Sequence, residues 1–199
     1  LIVAAFFSGE KDKEREVRLA ESRSALDRLK GGADDLERLD AVVAALRSGR
    51  HPLPPFHWEI EFPEVFGRES SGFDAIVGNP PFAGHVTLVQ STRQGYTDYL
   101  RHVIEGSGGK TDLVAYFFRR SFALLADAGA FGLIATNTLS QGDTRTSGLS
   151  WICTHAGVIF CARRRVKWPG QAAVSVSIVH VTRSALARSA TLDGRAVPM

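Results

Sequence analysis

The stretch Phe73–Phe82, FDAIVGNPPF, decides how the rest of the chain is read. Phe73–Gly78 is a compact apolar run between Ser70-Ser71-Gly72 and Asn79-Pro80-Pro81, the pattern of a short buried strand. The two prolines then end it. A proline disfavours helix in the residue before it and brings no N–H of its own. Asn79 and Pro80 are therefore held extended, with carbonyls that no helical ladder consumes. The product is a stiff loop that presents an amide side chain, a free backbone carbonyl and the ring of Phe82 together.

Downstream, Gly106–Lys110 (GSGGK) reads as a flexible linker, and a helix follows over Asp112–Ala126. Thr111 is a suitable N-cap, and Asp112 suits the positive end of the helix dipole. Leu113, Phe117, Phe118, Phe122 and Leu125 supply the apolar face, and Gly129 is placed to end the helix. Ala130–Thr136 is a second apolar strand. Val158–Ala162 and Val174–Val181 read as two more, separated by the loop Arg163–Ala173, RRRVKWPGQAA. Apolar strands alternating with helix argue for an α/β sheet covered on both faces. In such sheets ligands sit beyond the carboxyl ends of the strands, where Asn79–Phe82 lies.

Upstream, Leu1–Phe7 looks like the end of a buried strand and is too short to span a bilayer. Residues 10–48 read as a helical hairpin. Leu19, Leu26 and Leu29 share one helical face, and Leu36, Leu39, Val43 and Leu46 share another; Gly31-Gly32 marks the turn. Residues 49–58 are a proline-rich connector. The domain reading is an inserted hairpin over 1–50, a catalytic body over 51–185 and the start of a linker over 186–199.

Residues 111–199 hold ten basic and four acidic side chains, an excess that fits an acidic partner such as nucleic acid. Two cysteines give no disulfide framework and fit a reducing cytoplasm. Cys153, His155 and Cys161 do not have a usual zinc spacing, so no metal is expected.

The loop's chemistry suits an exocyclic amine on a planar base. The Asn79 side-chain oxygen and the Pro80 carbonyl can each accept one amine N–H, and Phe82 can stack on the base. Two directed hydrogen bonds favour a more tetrahedral nitrogen whose lone pair can face an electrophilic methyl group. That stabilisation grows toward the transition state.

Residues 56–84, FHWEIEFPEVF followed by SGFDAIVGNPPFAG, resemble the target-base segment of gamma-class N6-adenine DNA methyltransferases, those of type IIG restriction–modification and of phage-defence systems such as DISARM and BREX. KTDLVAYFFRRSFALLADAGAFGLIATNTL is similar to the family's next helix and strand, and GVIFCARRRVKWPGQAAVSVSIVHV to its closing hairpin. The resemblance implies a partial Rossmann-like methyltransferase fold with a mixed sheet, S-adenosylmethionine as cofactor, and double-stranded DNA as partner, with other defence-system subunits as candidate partners and no membrane. Asn79 and Pro80 would bind the adenine amine, Pro81 would fix the loop and Phe82 would stack on the flipped base. Asn79, Thr111 and Asp112 would lie at the cofactor pocket. Trp168, Pro169 and Gly170 would border the base, and Arg163, Arg164, Arg165 and Lys167 would contact phosphates. His57, beside Trp58, would belong to structural packing.

The family's glycine-rich cofactor loop precedes Asn-Pro-Pro-Phe, and residues 1–78 contain no G-x-G arrangement after a strand. The chain therefore reads as the second half of a methyltransferase domain, inactive alone. Two alternatives stay open: a methyltransferase acting on RNA or on protein glutamine, and a non-catalytic DNA-binding or assembly fragment.

Overall fold

A computed structural model of the chain describes residues 2–28, 34–168, 174–184 and 189–198. The chain forms two compact units, Leu1–Phe56 with Val89–Tyr99, and His57–Leu88 with Leu100–Met199.

The first unit is helical. It contains α1 (Ile2–Phe7), α2 (Asp12–Arg28) and α3 (Asp34–Arg47). The expected strand end is, over Ile2–Phe7, a helix: a short apolar run does not distinguish strand from helix, and here it buries Ala4, Ala5 and Phe6. The expected leucine face of α2 also differs. Leu19 is half-buried and Leu26 exposed, while Arg15 and Ala25 are buried. Arg15 is tolerated inside because its guanidinium is fully engaged: Asp12 at 3.0 Å, Asp98 at 3.1 Å, the Gly9 carbonyl at 3.3 Å and the Phe6 ring 4.5 Å from its Cζ. In α3, Val43 is half-buried and Leu46 buried. Leu29 and Gly31-Gly32, and the Leu36 and Leu39 side chains, lie outside what is described.

The second unit is α/β. Two short helices, α4 (Trp58–Glu61) and α5 (Pro63–Phe66), precede β1 (Phe73–Gly78). Trp58, Phe62 and Phe66 all pack on Phe73, at ring separations of 5.4 to 5.6 Å. His57, expected to pack, is exposed at the N-terminal end of α4. Next in the chain come α6 (His85–Ser91) and α7 (Tyr96–Val103), whose residues 89–91 and 96–99 belong to the first unit, and then α8 (Leu113–Ala123), β2 (Leu125–Thr136), α9 (Gly142–Arg145), α10 (Trp151–Thr154), β3 (Val158–Lys167), β4 (Ser175–Thr182), β5 (Ala190–Leu192) and β6 (Arg195–Val197). A π-helical turn, Thr146–Ser150, joins α9 to α10.

The sheet order is β1-β2-β4-β3-β5-β6. It is mixed: β1 runs parallel to β2 and β3 to β5, and the other neighbours are antiparallel. One face is the core, where Val114, Phe118 and Phe122 of α8 meet Phe131, Leu133, Ala135, Val179 and Val181, with Ile152 alongside. Phe118 and Phe131 meet edge to face at 5.4 Å.

Three expectations change here. The helix stops at Ala123 and β2 already starts at Leu125; Gly129 sits in an irregularity of β2, where a Cβ would come within 2.6 Å of the Phe73 carbonyl. Phe117 is exposed, and Val114 takes the buried position beside Phe118. The sheet is not covered on both faces along β1. Ile76 packs on the core, so its neighbour Val77 points the other way and is 88% exposed.

The expected linker after residue 185 is also corrected, because residues 190–197 form a hairpin that extends the sheet. Asp193 and Gly194, both with positive φ, make its tight turn, the known preference of Asp-Gly in two-residue hairpins. Among the described residues, no helix is long and apolar enough to cross a membrane.

Candidate functional site

Asn79–Phe82 emerges from the carboxyl end of β1. Asn79 is exposed, Pro80 buried and Pro81 exposed, and the Phe82 ring is 39% exposed. Burial of Pro80 anchors the loop while its neighbours face outward. The loop is also tied at its far end, where the Leu113 N–H donates to the Ala83 carbonyl at 3.1 Å. Among the described residues, neither the Asn79 amide nor the Pro80 carbonyl has a hydrogen-bond partner. An anchored backbone carrying unspent polar groups can accept a ligand's N–H groups without first giving up bonds of its own.

The start of α8 is the opposite case. Thr111 is 2% exposed and Asp112 6%. The N-cap is Asp112 and not Thr111: its carboxylate accepts from the Val114 N–H at 3.0 Å and from the Thr138 hydroxyl at 3.3 Å. Its own N–H donates to the Thr144 hydroxyl at 3.0 Å. The Thr111 hydroxyl lies 2.9 Å from the Gly108 carbonyl and 2.8 Å from the Ser147 hydroxyl. Of the three residues expected to hold S-adenosylmethionine, only Asn79 offers a free side chain. Thr111 and Asp112 do not fit that role through their side chains, which are spent joining α8, the β2 exit and the helical stretch from Gly142.

The preceding GSGGK segment is likewise no free linker. Gly108 N–H donates to Ser147 Oγ at 2.9 Å, and a Cβ on Gly108 would come within 2.7 Å of the Asp143 carboxylate. Arg119, also unforeseen, lies buried with its Cζ 3.4 Å from the Trp151 ring centre and donates to the Ser147 and Glu105 carbonyls. Burial pushes its guanidinium pKa down, with Glu105 and Tyr116 opposing. The composition around Thr138, Thr144 and Ser147 gives no local sign of this network, since the partners come together only in the fold.

The basic cluster is displaced from its expected loop. Arg163, Arg164, Arg165 and Lys167 belong to β3, which runs well beyond Ala162. A bulge sits among them: Arg163 pairs with Ile178 and Val166 with Val176, leaving one extra residue in β3, and Arg165 takes φ +54°. Arg164 is braced by Asp193, through its backbone N–H at 2.7 Å and its guanidinium at 2.9 and 3.1 Å. Those bonds, the backbone one first, hold the Asp193 carboxyl below the usual aspartate range. Trp168 is half-buried, its N–H donating to the Val174 carbonyl at 3.0 Å. Pro169 and Gly170 lie outside the described residues. His155 stacks on Trp151 at 3.7 Å, and no metal-binding group of three or more His, Cys, Asp or Glu occurs among the described residues.

Through β2 and β4, the sheet brings these two places to one edge. Gly78 pairs with Leu133, and Thr136 and Val166 both pair with Val176, so the loop after β1 and the basic end of β3 share the carboxyl edge of β2. Residues 17–154, which hold both the Asn79 loop and the Asp112 network, match the family model of the Eco57I restriction-modification methylase. The chain belongs to the Eco57I restriction-modification methylase family. Among solved structures, it is similar to the type IIL restriction-modification enzyme MmeI, solved in complex with DNA, at 20% identity and a TM-score of 0.54 over 76% of this chain. The chain spans about a fifth of that enzyme's length, 21%. The likeness shows a shared fold. A protein from Listeria monocytogenes assigned to the class I S-adenosylmethionine-dependent methyltransferases aligns at 9% identity and a TM-score of 0.46, over 61% of this chain and 36% of its own. DrdV, in complex with DNA, aligns at 14% identity and 0.42, over 69% and 16%. Neither is similar enough to bear on function. No curated protein sequence matches the chain.

Proposed function

We propose that this Eco57I-family chain is part of the catalytic domain of a gamma-class, site-specific DNA methyltransferase that modifies adenine N6. The sheet-bearing part from residue 51 onward, the hairpin over 190–197 included, would be the second half of that domain and 1–50 an insertion. The observation that carries the reading is the free pair of acceptors at Asn79 and Pro80 beside an outward-facing Phe82.

Adenine inside a duplex cannot reach such a loop, so the target nucleotide turns out of the stack. Phe82 stacks on the base face, worth about 1–3 kcal/mol. Asn79 Oδ1 accepts one amine proton and the Pro80 carbonyl the other. The amine nitrogen loses conjugation with the ring, and its lone pair turns toward the methyl donor. S-adenosylmethionine supplies the methyl group when bound. The methylated nitrogen is acidic, so its extra proton leaves without a strong base from this chain. Pro81 keeps the loop extended throughout. The proposed partners are double-stranded DNA and the subunits of a restriction–modification or phage-defence system, in the cytoplasm.

The test is product identity. The full-length protein carrying this chain is incubated with labelled S-adenosylmethionine and duplex DNA, RNA or protein. N6-methyladenine in the DNA digest is the expected product. Label confined to RNA or to protein glutamine would overturn the substrate assignment, and no transfer to any of the three would overturn the enzymatic one.

A further inference from the structure

We propose that the bulge in β3 builds a cleft for one DNA phosphodiester, with Arg163 and Arg165 as the contacts and Arg164 as the strut that holds them; the proposal rests on DNA being the substrate. In a regular strand, side chains at consecutive positions point to opposite faces. Three arginines in a row would then be split between the two faces. Here Arg163, Arg164 and Arg165 all border one cavity of about 280 Å³, together with polar Asn137, Gln141 and Ser177 and six apolar residues, Ile159 and Ala162 of the same strand among them. The bulge lies among the three, and an added residue re-aims the side chains around it. Arg165, within the bulge, takes a left-handed φ of +54°, a conformation L residues rarely adopt. Bulges are over-represented at sheet edges and next to active sites, where they re-aim a side chain or end the pairing.

The polar residues of the lining suit an oxyanion. Arg164 is already bound to Asp193, and that pairing neutralises the nearby carboxylate. Arg163 and Arg165 are exposed, and no ion pair engages them among the described residues. The Asn137 side-chain oxygen accepts from the Ser177 hydroxyl at 3.2 Å, and its amide nitrogen is a donor with no partner among the described residues. Two guanidinium forks and an amide donor match a phosphate with one charge and two free oxygens. The cleft lies at the same sheet edge as Asn79, three strands away, or about 15 Å at usual strand spacing. That distance puts the phosphate a few nucleotides from the presented base.

The experiment measures equilibrium binding of the full-length protein to duplex DNA across a salt series. The double variant Arg163→Ala, Arg165→Gly removes both contacts, and glycine keeps the positive φ without strain. One lost phosphate contact should make the slope of log affinity against log salt shallower by about 0.9. Asp193→Ala separates the strut from a simple charge count. Removing a negative charge would by itself tighten binding, whereas loss of the brace weakens it, and weakening is expected. An unchanged salt slope in the double variant, or tighter binding by Asp193→Ala, overturns the cleft even if N6-methyladenine is still made. No DNA binding by the unaltered protein overturns both this proposal and the substrate reading. A third arm compares inorganic phosphate with chloride at equal ionic strength. Displacement by phosphate beyond that by chloride, lost in the double variant, supports the cleft, and equal competition by the two salts, which any unspecific charge contact would give, overturns it.

Discussion

Asn79 and Asp112 stand one hydrogen bond apart in the fold's wiring, joined through Leu113 N–H and the Ala83 carbonyl, yet their polar groups have opposite fates. Asp112 is buried, and its carboxylate and N–H are all bonded within the chain. Asn79 is exposed, and its amide is bonded to nothing among the described residues. Both are polar residues of the kind that cap helices and form binding sites. What separates scaffold from site is whether the fold has already used the group. Asp112 holds the start of α8 in place, and α8 in turn holds the loop that presents Asn79.

The largest effect that should blur this contrast is on the shared core. Phe118→Ala removes a fully buried ring that packs on Phe131 and should cost about 3–5 kcal/mol in chemical denaturation. Scaffold and site should fail together. Next comes Asp112→Ala, which leaves the Val114 N–H and the Thr138 hydroxyl without their acceptor. A loss of about 1–3 kcal/mol is expected by the same measurement. A loss below about 0.5 kcal/mol would break the scaffold assignment. Phe82→Ala should instead leave stability almost unchanged and weaken binding of target-containing duplex by about 1–3 kcal/mol, read by titration.

The smallest effect concerns Asp193. Its carboxyl titrates below the usual range because of Arg164. A lowered folded-state pKa contributes stability that is present above the ordinary aspartate value, about 3.9, and is lost as pH falls through the lower folded one. Thermal scans below about pH 4 should show a slightly steeper decline for the unaltered chain than for Arg164→Ala.

How much of this was legible depended on how local each cause is. β1 and the Asn79 loop could be read residue by residue, because an apolar run followed by two prolines fixes its own conformation. The α8 helix was legible from its spacing, but its cap was not. Thr111 and Asp112 are both capping types, and the choice is made by Ser147, Thr138 and Thr144, which arrive from 26 to 36 residues away. Arg163–Lys167 read as loop because a run of charges resembles solvated chain. Pairing with β4 makes it strand, and that pairing cannot be seen locally. The apolar start, Leu1–Phe7, fits either a strand or a helix, and packing in the helical unit decides for helix over Ile2–Phe7.

The most direct measurement is the pairing of methyl transfer with thermal stability in the full-length protein and its Asn79→Ala variant. Transfer to adenine should fall by roughly 100-fold or more, as when one preorganised hydrogen-bonding group is lost from an active site. Stability should stay within about 0.5 kcal/mol of the unaltered protein. Transfer that persists near its original rate, or that is lost only because the variant unfolds, would contradict the assignment of Asn79 to the base.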